Sequence, residues 1–197
     1  MLILKADSPV AHNPLLDLIY EQSGVRVQDC YQCGKCSAGC PIAAHMDLMP
    51  RQVMRAVQLG QADMALGSSA IWLCASCQTC SARCPMEIDI ARVMENLRQI
   101  ARARGLKPAE PAVAQAYNLM LESIKRLGRL YEAGVVVGLN LATLRPLANV
   151  FDVAMPMLAK AKVSLVPGRA AGADMRRIFT AWAEASALET EDPKRNA

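Results

Sequence analysis

All eight cysteines of this 197-residue chain fall in two short stretches, and no other residues are so well spaced for chemistry. The first reads Cys30-Tyr-Gln-Cys33-Gly-Lys-Cys36-Ser-Ala-Gly-Cys40-Pro41, and residues 74–85 read CASCQTCSARCP. Both are C-x2-C-x2-C-x3-C-P, related by a constant offset of 44 that takes Cys30 to Cys74, Cys33 to Cys77, Cys36 to Cys80 and Cys40 to Cys84. Thiolates are soft ligands, and no cysteine is left over to staple the rest of the chain. The distribution therefore points to metal before it points to disulfides.

Each run matches the loop that binds [4Fe–4S] clusters in bacterial ferredoxins, in which three closely spaced sulfurs serve one cubane and the fourth serves the other. Carried over, that pattern implies one cluster on Cys30, Cys33, Cys36 and Cys84, and a second on Cys74, Cys77, Cys80 and Cys40. Pro41 and Pro85 would fix the direction in which the chain leaves each cage. Structural zinc also takes four cysteines, but usually as two separated pairs and not as one run. With every ligand position a cysteine, neither cluster offers an open iron to substrate. Electron transfer is expected, and no catalytic residue.

Neighbouring residues each have two readings. Lys35 and Arg83 lie inside the loops, where a cation favours the reduced cluster; the alternative is a solvated charge. His45 follows the first run closely, but the ligand set is complete without it, so a surface or capping role is expected, as for His12. Met46, Met49, Met54, Met86 and Met94 suit the irregular gaps around a cluster. Trp72, two residues before Cys74, reads as core.

The elements that must hold the loops read as helices. Asp47 is placed to cap a segment carrying Met49, Val53 and Val57 and stopped by Gly60. Asp89 is placed to cap a second, whose Ile90, Val93, Met94, Leu97, Ile100 and Ala101 form one stripe before Gly105. Arg51-Gln-Val53-Met54 and Arg92-Val93-Met94 extend the duplication into these helices. A short helix over Asn13–Gln22, ended by Gly24, precedes the first run. The 33 residues between Cys40 and Cys74 carry helix signals and few β-branched residues. The expected fold is all-α: a helical dicluster domain over 1–106, a Pro-rich hinge over 107–111, a helical partner-docking extension over 112–188 and a frayed tail over 189–197. In the extension the periodicity predicts helices near 112–127, 146–160 and 173–188, with an irregular stretch at 162–168.

The chain has 53% hydrophobic residues and a formal charge of only +4 from 22 basic and 18 acidic side chains, scattered without a basic stripe. Nucleic acid is not an implied partner. No secretory signal is read at the N-terminus, and the most apolar later stretch, Ala133 to Leu144, falls short of the ~20 residues a membrane span needs. A cytoplasmic protein is expected.

Two such runs separated by a helical interval resemble the α-helical dicluster domain found in the C subunit of heterodisulfide reductase, and also that in the C subunit of anaerobic glycerol-3-phosphate dehydrogenase. The stretches Glu122–Glu132, Val166-Pro-Gly-Arg169 and Met175–Phe179 are similar to the former, carrying the resemblance over about residues 13–183. It implies a two-cluster protein that relays electrons from a flavin- and cluster-bearing A subunit to a B subunit with CCG motifs. This chain has no adjacent cysteine pair and no CCG motif. Any disulfide chemistry would belong to that partner. The glycerol-3-phosphate relative implies instead a relay in a membrane-associated dehydrogenase, towards quinone.

Overall fold

The computed structural model describes residues 13–143, 156–157, 160 and 172–190. The expected helix near 146–160, the irregular stretch at 162–168, His12 and most of the tail lie outside the described residues. Within them the chain is helical, with no strand. They fall into two compact units that divide between Glu110 and Pro111.

In the first unit, α1 (Pro14–Ser23) begins at Asn13 and ends at Gly24, which takes the left-handed conformation a C-terminal glycine supplies cheaply. Asn13 does two jobs. Its Oδ1 accepts from the Leu16 amide, and its Nδ2 donates to the Val57 carbonyl at 2.8 Å, tying the start of α1 to the end of α3 (Pro50–Gln58). Four short helices follow the first cysteine or connect the runs: α2 (Lys35–Ala38), α4 (Ala62–Gly67), α5 (Ala70–Leu73) and α6 (Thr79–Ala82). The longest helix of the unit, α7 (Ile90–Ala103), has the expected cap, with the Arg92 amide donating to Asp89 Oδ1 at 3.1 Å.

The predicted stripe of α7 is the centre of the core. Ile90, Val93, Met94, Leu97, Ile100 and Ala101 are all buried, and α7 packs against α1, α4, α5 and α6. Val53, Met54 and Val57 of α3 are buried as well, as are Leu15, Ile19 and Trp72. Each such side chain removed from water stabilises the unit by ~1.5–3 kcal/mol.

Two expectations change. Asp47 does not cap α3, because Pro50 opens that helix one residue after Met49, whose own amide donates to Gln52 Oε1 at 2.8 Å. Asp47 instead receives Ser68 Oγ, Ser69 Oγ and the Ser69 and Ala70 amides at 2.7–3.2 Å, organising the chain that enters α5. Met49 and Met86 are about half exposed and do not pack the core, whereas Met54 and Met94 are buried.

The second unit comprises α8 (Pro111–Leu127), α9 (Glu132–Thr143) and α10 (Gly172–Thr190), with α9 and α10 both packed on α8. The periodicity does not foresee α9. Its run Gly134-Val-Val-Val-Gly138 combines β-branched residues and glycines, all weak helix formers, so packing against α8 decides its conformation.

Candidate metal centres

The two cysteine loops have the same backbone. Gln32 and Ser76, at equivalent places in the first C-x2-C, have φ of 65° and 51°; Gly34 and Gln78, equivalent in the second, have 83° and 62°. Left-handed residues interspersed in this way curl successive N–H groups into a concave nest that favours an anion. Three of the four are not glycine, so each loop holds a conformation that local preference opposes. Directly after these turns, α2 and α6 carry equivalent cysteines and pack on each other, bringing the two loops side by side.

Each loop is tied to the helix that follows by an equivalent serine. Ser37 Oγ accepts from the Arg51 amide at 2.9 Å, and Ser81 Oγ accepts from the Ala91 amide at 3.3 Å while donating to the capping Asp89. Each is also tied at its first cysteine by a side chain from later in that helix. Gln58 Nε2 donates to the carbonyls of Val27 (3.1 Å) and Cys30 (2.8 Å). Arg98 donates from Nε to Ile71 (2.8 Å) and from Nη2 to Cys74 (3.0 Å). Sequence reasoning missed both anchors: each sits on a helix face that reads as polar and solvated, and only the carbonyls of a distant loop give it a task.

The sulfurs group across the runs. Cys40, Cys74, Cys77 and Cys80 line one small cavity, closed by Ile42, Met46, Pro50, Ala91 and Met94. The Cys74 thiol is pushed up by burial, and by Cys40 and Cys77 nearby, against the Ser76 amide and Arg98, which lower it. Burial likewise raises the Cys80 thiol, with Cys74 adding to it. On the other side, the Tyr31 phenol is raised by desolvation first, then by Cys33, Cys84 and Cys30 around it. Burial raises Cys36 too, against hydrogen bonds from Ser37. Cys77 is lowered, by its hydrogen bond with Thr79. Thus Cys40 of the first run lines the cavity of the second.

All eight cysteines are free thiols. Among the described residues no three of His, Cys, Asp and Glu converge on a single-ion site. A cubane spreads its ligand sulfurs over separate irons and does not need that convergence. An all-sulfur donor set in nests lined by Ile and Met, with cysteines from both runs around one cavity, fits [4Fe–4S] clusters. The loop cations prove peripheral: Lys35 is exposed, and Arg83, also exposed, lies across Gly39, where an added Cβ would come within 2.6 Å of its guanidinium. Arg98 is the cation buried beside a loop, 5% exposed. His45 is exposed.

Comparison with known proteins agrees. Residues 29–89 match the model of a 4Fe-4S dicluster domain, so the chain carries two [4Fe–4S] clusters. The iron-sulfur C subunit of CoB–CoM heterodisulfide reductase from Methanopyrus kandleri is 36% identical over 92 residues, 46% of this chain and 48% of the relative. The C 2 form of that iron-sulfur protein from Methanocaldococcus jannaschii is 40% identical over 79 residues, 40% and 42% of the two chains. The C subunit of ferredoxin:CoB-CoM heterodisulfide reductase from Methanosarcina mazei is 33% identical over 98 residues, 49% and 60%. The chain thus spans about half the length of the curated relatives it matches. No helix among the described residues is long and apolar enough to cross a membrane.

Proposed function

We propose that this chain, similar over its cluster domain to heterodisulfide reductase iron-sulfur C subunits, is the electron-transfer subunit of a heterodisulfide reductase-like complex in the cytoplasm. It would receive electrons from a flavin- and cluster-bearing A subunit and deliver them to a B subunit with CCG motifs. When bound, the two clusters supply one-electron redox chemistry. Cys30, Cys33, Cys36 and Cys84 would hold one and Cys74, Cys77, Cys80 and Cys40 the other. The protein's own contribution is positional. The duplicated loops, pressed together through α2 and α6, hold two centres adjacent, while Ile42, Met46 and Met94 keep water from the second. The observation that supports the reading best is that Cys40 of the first run lines one cavity with Cys74, Cys77 and Cys80 of the second.

The α8–α10 unit has no cysteine and no histidine, so we assign it docking. It presents Val137, Leu141, Ile178 and Trp182 to the surface, and apolar side chains in such number suit contact with another protein of the complex.

Anaerobic purification of the tagged chain from its native cells tests this assignment. Co-elution of a CCG-motif protein and a large flavoprotein is the expected result. A quinone-linked dehydrogenase in their place would move the chain to the respiratory alternative.

A further inference from the structure

The duplication that relates the two loops continues into their anchors. An offset of 44 takes Val27 to Ile71 and Cys30 to Cys74, and an offset of 40 takes the buried Val53-Met54 of α3 to Val93-Met94 of α7. The same 40 takes Gln58 to Arg98. These two side chains make the same pair of bonds, to the carbonyl of the first cysteine and to the carbonyl three residues before it. Geometry is preserved across the repeat while the buried charge is not: a neutral amide, whose Oε1 accepts from the exposed Arg55 at 3.3 Å, stands at one loop and a buried guanidinium at the other.

That difference acts on the centres unequally. A reduced cluster carries one more negative charge than its oxidised form, and a fixed cation where water is scarce stabilises it; charge and hydrogen bonding around the sulfurs are among the protein's means of setting potential. Arg98 is 5% exposed and bonded to a ligand residue's own carbonyl. Lys35 and Arg83 are exposed, so solvent and salt screen them. Glu95 offsets part, and only part, of the guanidinium charge from 3.1 Å, because its side chain is 41% exposed while Arg98 is buried.

We propose that Arg98 makes the centre held by Cys74, Cys77, Cys80 and Cys40 the more easily reduced of the two, and that neutral Gln58 at the equivalent position leaves the other at lower potential. The pair then gives the relay a downhill direction, from the Gln58 side to the Arg98 side. This inference rests on the two-cluster reading above and adds to it which centre receives the electron last.

The test is a redox titration of the full, cluster-loaded chain followed by electron paramagnetic resonance. Two midpoints are expected. Arg98→Gln, which gives the second loop the anchor of the first, should lower only the higher midpoint, by about tenfold in the reduction equilibrium, or about 59 mV for one electron. Arg98→Lys keeps the charge without the planar fork and should leave the midpoint close to its original value. Equal shifts in both variants would make Arg98 a structural anchor only and overturn the proposal, as would a shift confined to the lower midpoint. If Arg98→Gln fails to assemble its clusters, Glu95→Gln decides, because the guanidinium and both carbonyl contacts remain in place. A raised higher midpoint supports the assignment, and unmoved midpoints overturn it. Iron analysis of the unaltered chain separates this failure from that of the cluster reading: with about eight irons present, unmoved midpoints count against Arg98 alone.

Discussion

At the scale of single residues, the claim most exposed to test is that each run lends its last cysteine to the other. Replacing Cys84, in the second run, with serine should damage the centre built on Cys30, Cys33 and Cys36, and Cys40→Ser should damage the centre of the second run. Iron analysis and paramagnetic spectra of the two variants should therefore show opposite centres altered, each counter to its place in the sequence. Asp47 gives a second test. Burial opposes its ionisation, but hydrogen bonds from Ser68, Ser69 and the Leu48 amide outweigh that and hold its carboxyl at about 2. Its contribution is therefore fully present above the ordinary carboxylate value near ~3.9 and is lost as pH falls through about 2. Carboxyl titration by NMR should show this depression. Asp47→Ala, at neutral pH, should lower stability by about 1 kcal/mol, the usual worth of a capping side chain. The cysteines were legible in the sequence because their spacing is their chemistry. Asp47 was not, because a carboxylate three residues before a helix reads as its cap, and its actual partners at Ser68 and Ser69 are brought to it only by folding.

At the scale of elements, α7 is legible nearly whole from its cap, its apolar stripe and Gly105. Arg98 escapes because its neighbours along the helix are charged, and only the packing of α5 on α7 places the Ile71 and Cys74 carbonyls within its reach. The same packing makes Trp72 a keystone between α5 and the rest of the core, at 1% exposure. Trp72→Ala should cost about 3–5 kcal/mol, enough to unfold the cluster unit at ordinary temperature, as circular dichroism would show. Ser81→Ala is gentler. It removes the two hydrogen bonds by which Ser81 ties the second loop to the start of α7 and leaves the Asp89 cap on Arg92 in place, so a loss of about 1–2 kcal/mol with both clusters retained is expected from thermal unfolding and iron content. By contrast α9 is illegible, since its valines and glycines favour no helix until α8 is there to pack against.

At the scale of the whole molecule, the division of labour is between a unit that holds clusters and a unit that holds none. Leu141→Arg and Trp182→Arg, both at well-exposed positions, should weaken capture of partner proteins from native cells while iron content per chain stays unchanged. Loss of iron in these variants would mean that the second unit supports the clusters and does not dock. What the sequence could not disclose at this scale is the asymmetry of the repeat: two loops alike in spacing and backbone differ in the charge of one anchor, and that difference appears only when the helices bring Gln58 and Arg98 to equivalent carbonyls. The central claim remains the pair of adjacent four-iron centres. The most direct measurement is iron and acid-labile sulfide per chain, followed by spin quantitation of the dithionite-reduced protein. About eight irons, eight sulfides and two interacting spins per chain are the expected result. Stoichiometric zinc, or a single spin with about four irons, would contradict it.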